Sequence, residues 1–206
     1  MGYRAVLFDI GGVVVGSPLH AIAAYEREQA IEAGFVNRVV VASGVAGAWS
    51  RLERGQLTLE EFYPAFERDC ENAGCRISAR EMMGRVAAST VPRPAMVEAI
   101  RGIRARGLLA AAVTNNWLTD DGGSSALRAE FDAFIESAVL GVRKPDPRIF
   151  EVACETLSVG PPEAVLLDDI GANLKSARAL GMTTIKVVEP DAALAELEAV
   201  LGFALR

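Results

Sequence analysis

Four polar clusters in this chain of 206 residues have the types and spacing to do chemistry. Asp9 closes the apolar run Ala5-Val6-Leu7-Phe8 and is followed by Gly11 and Gly12. Thr114 and Asn115 close a second apolar run from Leu108. Lys144 lies in Gly141-Val142-Arg143-Lys144-Pro145-Asp146-Pro147. Asp168 and Asp169 close a third run, Ala164 to Leu167. Each has a plain structural reading when taken singly. Asp9 or the Asp168-Asp169 pair could cap the helix that follows, Lys144 could be a solvated loop charge, and Thr114 an ordinary strand end. Taken together they are harder to explain that way, because the C-terminal ends of parallel strands open on one ligand crevice. Carboxylates from two strands would form a hard, oxygen-rich site suited to Mg²⁺. Such an ion lowers the repulsion between an anionic nucleophile and a phosphate. Lys144 would neutralise the nucleophile and a phosphate oxygen, and Thr114 with a backbone N–H would hold another oxygen. The set supports hydrolysis of a small phosphorylated molecule through a covalent phosphoryl group on Asp9. The glycines after Asp9 are not a Walker loop, because no GxxxxGK[ST] pattern occurs in the chain.

The elements that must position these residues can be read from periodicity. Residues 4–9 read as a buried strand, and Gly11 to Gly16 as a tight turn and extended segment. Ser17-Pro18 is a helix start. From 18 to about 90 the chain is rich in Ala, Glu and Arg and helix-periodic, with no convincing strand. The pattern predicts helices over 21–33, 36–42 and 46–54. Two capping boxes, Thr58 with Glu61 and Ser78 with Glu81, predict helices to about Asn72 and Ala88. Helix and strand then alternate: helix 95–106, strand 108–114, a polar loop 116–125, a short strand 134–138, helix 147–157, strand 164–167, helix 171–180, strand 183–188 and helix 191–201. Alternation of this kind argues for an α/β architecture with a parallel sheet and helices on both faces. The expected organisation is a core built from residues 1–16 and 92–206, with an all-helical cap, 17–91, inserted after the first strand.

Composition narrows the classes. Hydrophobic residues make up 51% of the chain and the net charge is −6. Scattered basic residues in an acidic chain argue against nucleic-acid binding. No apolar run reaches the ~20 residues of a membrane span. The odd set Cys70, Cys75 and Cys154 lacks metal spacing and suggests reduced thiols. With no basic-then-apolar leader, a cytoplasmic location is expected, as a monomer or homodimer. The single histidine, His20, reads as a surface or cap-packing residue, and Trp49 and Trp117 as packing or pocket-wall residues. Asp120-Asp121 read as a solvated loop.

At these motifs the chain resembles the haloacid dehalogenase (HAD) superfamily. FDIGGVVV, VTNN, GVRKPDPRIF and LLDDIGANLKSARALGM are similar to its four motifs, in order. TNNW, KPDPRIF, LDDIGANLK and RLERGQLTLEEF are similar to the phosphatase domain of soluble epoxide hydrolases and to the HAD domain of multidomain acyl-CoA dehydrogenase proteins. The resemblance implies a Rossmann-like HAD core with a cap and a Mg²⁺-dependent phosphomonoesterase. It makes Asp9 the nucleophile and a metal ligand, with Gly11 (through its carbonyl) and Asp169 as further ligands. Thr114, Asn115 and Lys144 become the phosphate-binding and charge-balancing groups. Asp168 would orient metal-bound water, and Asn173 matches a further polar position of the fourth motif. One departure bears on mechanism. Where most HAD phosphatases carry a second Asp acting as general acid/base, this chain has Gly11. General acid–base help contributes about 10²–10⁴ in rate. Its loss implies a slow phosphatase, one restricted to good leaving groups, or one that borrows an acid from the cap. The other reading is a catalytically weak module that binds a phosphorylated or acyl-CoA-like ligand or a protein partner. Dehalogenase chemistry, which needs no Mg²⁺, fits the Asp168-Asp169 pair less well.

Overall fold

The structure, a computed structural model, describes residues 2–118 and 125–205. Five parallel strands form one sheet: β1 (Ala5–Phe8), β2 (Leu109–Thr114), β3 (Ala133–Glu136), β4 (Ala164–Asp168) and β5 (Thr183–Lys186), in the order β3-β2-β1-β4-β5. Strand β1 is therefore central, and the winding reverses between β1 and β4. That reversal opens the crevice in which ligands of such sheets bind.

Strand alternation divides the core into two layers. Val6, Phe8, Ala110, Ala112, Val165 and Leu167 face one side. They pack there against α6 (Pro94–Ala105), through Met96, Ile100 and Ile103, and against α11 (Pro190–Leu201), through Leu194 and Leu197. Ala5, Leu7, Ala111, Val113, Ala164 and Leu166 face the other. They meet α9 (Pro147–Leu157) and α10 (Gly171–Ala179) there, through Ile149, Phe150, Ala153, Leu174 and Ala177. Strands buried on both faces carry no polar alternation, which is why β1 and β4 read as continuous apolar runs.

Between β1 and α6 lie five helices: α1 (Pro18–Glu28), α2 (Phe35–Ser43), α3 (Ala48–Leu52), α4 (Leu59–Asn72) and α5 (Ala79–Ser89). They enclose a separate apolar core that includes Tyr25, Leu52, Phe62, Phe66 and Met82. Trp49 meets Phe62 and Phe66 edge-on inside it, and Trp117, from the loop after β2, packs against it. Two chain passages join this unit to the sheet. They lie side by side, with Gly16 N donating to Val91 O and Arg93 N to Val14 O.

Several elements differ from the periodicity. Helix α1 stops at Glu28 rather than at Ala33, since Ile31 N turns back to Glu26 O and the buried Glu26 carboxylate takes the N–H groups of Gly34 and Val36. The Thr58–Glu61 capping box forms completely, whereas the second forms by half. Ser78 N is claimed by the Tyr25 hydroxyl, so the Glu81 carboxylate pairs with Arg85. Strand β3 covers 133–136 and passes directly into the one-turn helix α8 (Ser137–Leu140), and β5 ends at Lys186 rather than Val188. The short helix α7 (Ser125–Arg128) precedes β3. No helix among the described residues is long and apolar enough to cross a membrane.

Candidate active site

Strand register assembles the site. Phe8 stands opposite Leu167 in the β1–β4 pairing, so the next rung sets Asp9 beside Asp168, and Asp9 N still donates to Leu167 O at 2.9 Å. By the twofold repeat of a strand, Asp9 shares a face with Leu7, and Asp168 shares that face with Leu166. Lys144, in the loop leading to α9 on the same face, lies between them. Its Nζ is 2.8 Å from Asp9 Oδ1 and 2.8 Å from Asp168 Oδ2. The Lys144 side chain is 1% exposed and Asp168 is fully buried.

Other groups lock this ion triad in place. Asn173 Nδ2 donates to both Asp168 oxygens, at 2.9 and 3.0 Å, and Ile170 N donates to Asp168 Oδ1 at 2.8 Å. Ile10 N donates to Asp9 Oδ1 at 2.7 Å. Asn115 holds the main chain of Lys144 at both ends: its Oδ1 accepts from Lys144 N (2.8 Å) and its Nδ2 donates to Lys144 O (3.1 Å). Thr114 is buried at the end of β2, and among the described residues its hydroxyl makes only a long contact with Asn115 O at 3.4 Å. Asp169 is half-buried and lies over Gly12, where a Cβ would fall 2.2 Å from Asp169 Oδ2. Gly12 has φ +80°, so both its backbone and its surroundings require glycine. Asp9, Asp168 and Asp169 each offer an oxygen, all within 4.8 Å of one another.

Two of the expected residues have their side chains engaged within the protein. Asp168 does not face water. Lys144, Asn173 and Ile170 occupy its oxygens at zero exposure. The Asn115 side chain is committed to the Lys144 peptide, which leaves only its main chain to meet a ligand. His20 is exposed, and Asp120-Asp121 lie outside the described residues.

Burial and crowding set the protonation. Burial raises Asp9, the Lys144 ammonium opposes it, and Asp168 and Asp169 reinforce it; the result is a carboxyl pushed up from 3.8 to about 7. Burial alone would lower Lys144, but Asp9 and Asp168 outweigh it, so the ammonium is held charged. Asp169 is also raised, by burial and then by Asp168. Three carboxylates share one ammonium, and the cluster lacks positive charge. That deficit, the oxygen-only donors and the spacing suit a hard divalent cation.

The model of the haloacid dehalogenase-like hydrolase family matches residues 3–181. The chain belongs to that family. Acyl-CoA dehydrogenase family member 10 of Mus musculus is 41% identical over 98% of this chain, and bifunctional epoxide hydrolase 2 of Sus scrofa is 36% identical over 100% of it. This chain spans 20% and 40% of those two proteins. Among solved structures, a HAD-family enzyme of Bacteroides thetaiotaomicron, in complex with magnesium and inorganic phosphate, superposes with a TM-score of 0.65. The two are 20% identical, over 90% of this chain and 94% of that one.

This HAD-like hydrolase also places residues at the site that sequence reasoning did not single out. Arg143, next to Lys144, reaches into the helical unit. Its guanidinium donates to Ser50 (2.9 Å) and its Nε lies 2.6 Å from Glu53 Oε2, an ion pair off the line of a hydrogen bond. Glu53 also accepts from Trp49 Nε1 at 2.9 Å. Burial raises Glu53, against the pull of Arg143. Arg93 donates to the carbonyls of Gly12 and Val13, bracing the loop that carries the two glycines. Arg143 sits inside a motif that the sequence displays plainly. Arg93 carries no local signal of its place at the site, and Pro18, whose ring a Cβ on Gly11 would meet, reads in the sequence only as a helix start.

Proposed function

We propose that this HAD-like hydrolase is a Mg²⁺-dependent phosphomonoesterase that works through a phosphoryl group on Asp9, with a small phosphorylated molecule as substrate. The observation that carries the reading is the buried ion triad Asp9–Lys144–Asp168 beside Asp169. A nucleophile alone does not need an ammonium and two further carboxylates within reach, whereas transfer of a dianionic group beside a metal does. The relative with magnesium and phosphate bound has the same fold.

Asp9 and Asp169, with the Gly11 carbonyl, would hold the ion, and Asp168 is excluded by the donors it already serves. The bound ion would neutralise charge on the phosphoryl group. The chain's own residues do the rest. Ile10 N and Lys144 Nζ both fix Asp9 Oδ1 and hold the carboxylate in one orientation. Its Oδ2 has no hydrogen-bond partner among the described residues and is the oxygen left to attack. Lys144 keeps its proton and supplies positive charge to Asp9 and to an incoming phosphoryl oxygen. The Thr114 hydroxyl, without a strong partner among the described residues, is the donor for another phosphoryl oxygen. The helices of 17–91 act as a cap, joined to the Lys144 loop through Arg143.

The test is hydrolysis of 4-nitrophenyl phosphate and acetyl phosphate with and without Mg²⁺. Turnover that EDTA abolishes, and that Asp9→Asn lowers by more than about 10³, is the expected outcome. A rapid quench should trap one alkali-labile phosphoryl group per chain. Turnover that survives Asp9→Asn, or that is indifferent to divalent cations, refutes the mechanism.

A further inference from the structure

The two halves of the site are held from different parts of the molecule. Asp9 and Asp168 are fixed from within the sheet-bearing core, by strand register, Ile10 N and Asn173. Thr114 ends β2 and Lys144 lies on the loop entering α9, and Asn115 fastens these two segments together through the Lys144 N–H and C=O. The helical unit of 17–91 grips the fastened pair at two points. Trp117, three residues after Thr114, packs against its apolar core. Arg143, the residue before Lys144, reaches Ser50 at 2.9 Å and Glu53 at 2.6 Å. Glu53 is in turn fastened by Trp49 Nε1, and the Trp49 ring stands against Phe62 and Phe66. The side chain of Glu53 is 10% exposed and Ser50 is 1% exposed, so neither partner of Arg143 is a loose surface group. The loop after α3 also lies directly on the segment that runs from β3 to Arg143: a Cβ on Gly55 would fall 2.3 Å from Ala138 O.

We propose that Glu53, Arg143 and Trp117 are positioning residues for the phosphoryl-holding half of the site. Their contacts set where Thr114 and Lys144 meet the phosphoryl group, while Asp9 and Asp169 take up magnesium independently of them. The inference rests on the phosphatase reading above. Lys144 carries its charge at the end of a flexible four-carbon stem. Its Nζ can keep Asp9 and also meet an incoming oxygen only from a main chain held in one place. Asn115 holds that main chain against the end of β2, and Arg143 holds it against the helices. Removing Glu53 leaves the Arg143 guanidinium without its counter-charge in a half-buried place, so Arg143 moves toward water and draws Lys144 with it. A shift on the order of 1 Å in such a group lowers a reaction about 10²-fold. The three residues act through Thr114 and Lys144 and not through the leaving group. Their loss is therefore felt on every substrate, including one too small to reach the helices.

The experiment compares the wild type with Glu53→Ala and Trp117→Ala. Magnesium affinity is read from the Tm shift that the ion produces. Affinity for orthovanadate, a phosphate mimic, is read from the further shift with magnesium present, and kcat/KM is measured on acetyl phosphate. Each variant should bind orthovanadate about tenfold more weakly, and magnesium within about twofold of the wild type. Its kcat/KM on acetyl phosphate should fall by about 10–10²-fold. An equal loss of both affinities overturns the inference, since the helices would then merely support the whole site. So does an unchanged orthovanadate affinity. Glu53→Gln keeps an acceptor for Trp49 Nε1 and should show the same split where Glu53→Ala does not fold. A wild type that neither binds orthovanadate nor turns over acetyl phosphate removes the phosphatase reading and this inference with it. An active wild type with indistinguishable variants removes the inference alone. Amide hydrogen exchange adds a measurement free of substrate: Glu53→Ala should speed it about tenfold over 138–147 and leave that of α10 within about twofold. Equal exchange over 138–147 in the two proteins overturns the inference.

Discussion

The cluster's charge deficit makes a prediction about stability that is independent of catalysis. In the metal-free protein Asp9 is raised from 3.8 to about 7. A carboxyl whose folded value lies above its unfolded one binds more protons when folded, so stability falls as pH rises between the two values. At about 1.4 kcal/mol per factor of ten, the ionised Asp9 costs roughly 4 kcal/mol at pH 8, and roughly 3 kcal/mol of that develops above pH 5. Asn at position 9 keeps an oxygen for Lys144 and removes the charge. Thermal unfolding of the wild type and Asp9→Asn in EDTA, at pH 5 through 8, should show the variant gaining on the wild type as pH rises. For a chain of this size the gain is about 6–12 °C in Tm over that range. Magnesium should narrow that gap at pH 8. It stabilises whatever binds it, by about 2.7 kcal/mol at a hundredfold excess over Kd, and the variant has lost a ligand. A Tm difference that is constant with pH to within about 2 °C, or an equal response of both proteins to magnesium, would refute the charge argument.

Three further predictions follow from the packing. Gly12→Ala forces a Cβ to 2.2 Å from Asp169 Oδ2 at φ +80°, and should cost more than about 2 kcal/mol and abolish the magnesium response. Gly84→Ala, on the exposed side of α5 with nothing within 4 Å, should gain about 0.5–1 kcal/mol, and urea melts of both variants check the pair. The Arg143–Glu53 contact couples the helical unit to the Lys144 loop. Glu53→Gln, Arg143→Met and the double variant should give a coupling energy above about 1 kcal/mol in a double-mutant cycle. Additive effects would show that the pair is inert.

Much of this protein was legible in the chain. Parallel α/β order followed from the alternation of helices with buried apolar runs such as Ala5–Phe8 and Ala164–Leu167. Asp9, Lys144 and Asp168-Asp169 stood out because they fall together where the C-terminal ends of parallel strands open on one crevice. The sheet order also determines the crevice, since β1 is central only once β4 crosses to its other side. What the sequence could not show was who holds whom. Asn115, a phosphate ligand by motif, is spent on the Lys144 main chain, and Asp168, a water-orienting group by position, is sealed under Lys144 and Asn173. Arg93, 81 residues from Gly12, braces its carbonyl. Residue type and strand periodicity are local properties, so they determined the fold class and the candidate chemistry. Hydrogen-bond partners depend on distances between segments far apart in sequence, so only the tertiary structure decided how the site is wired.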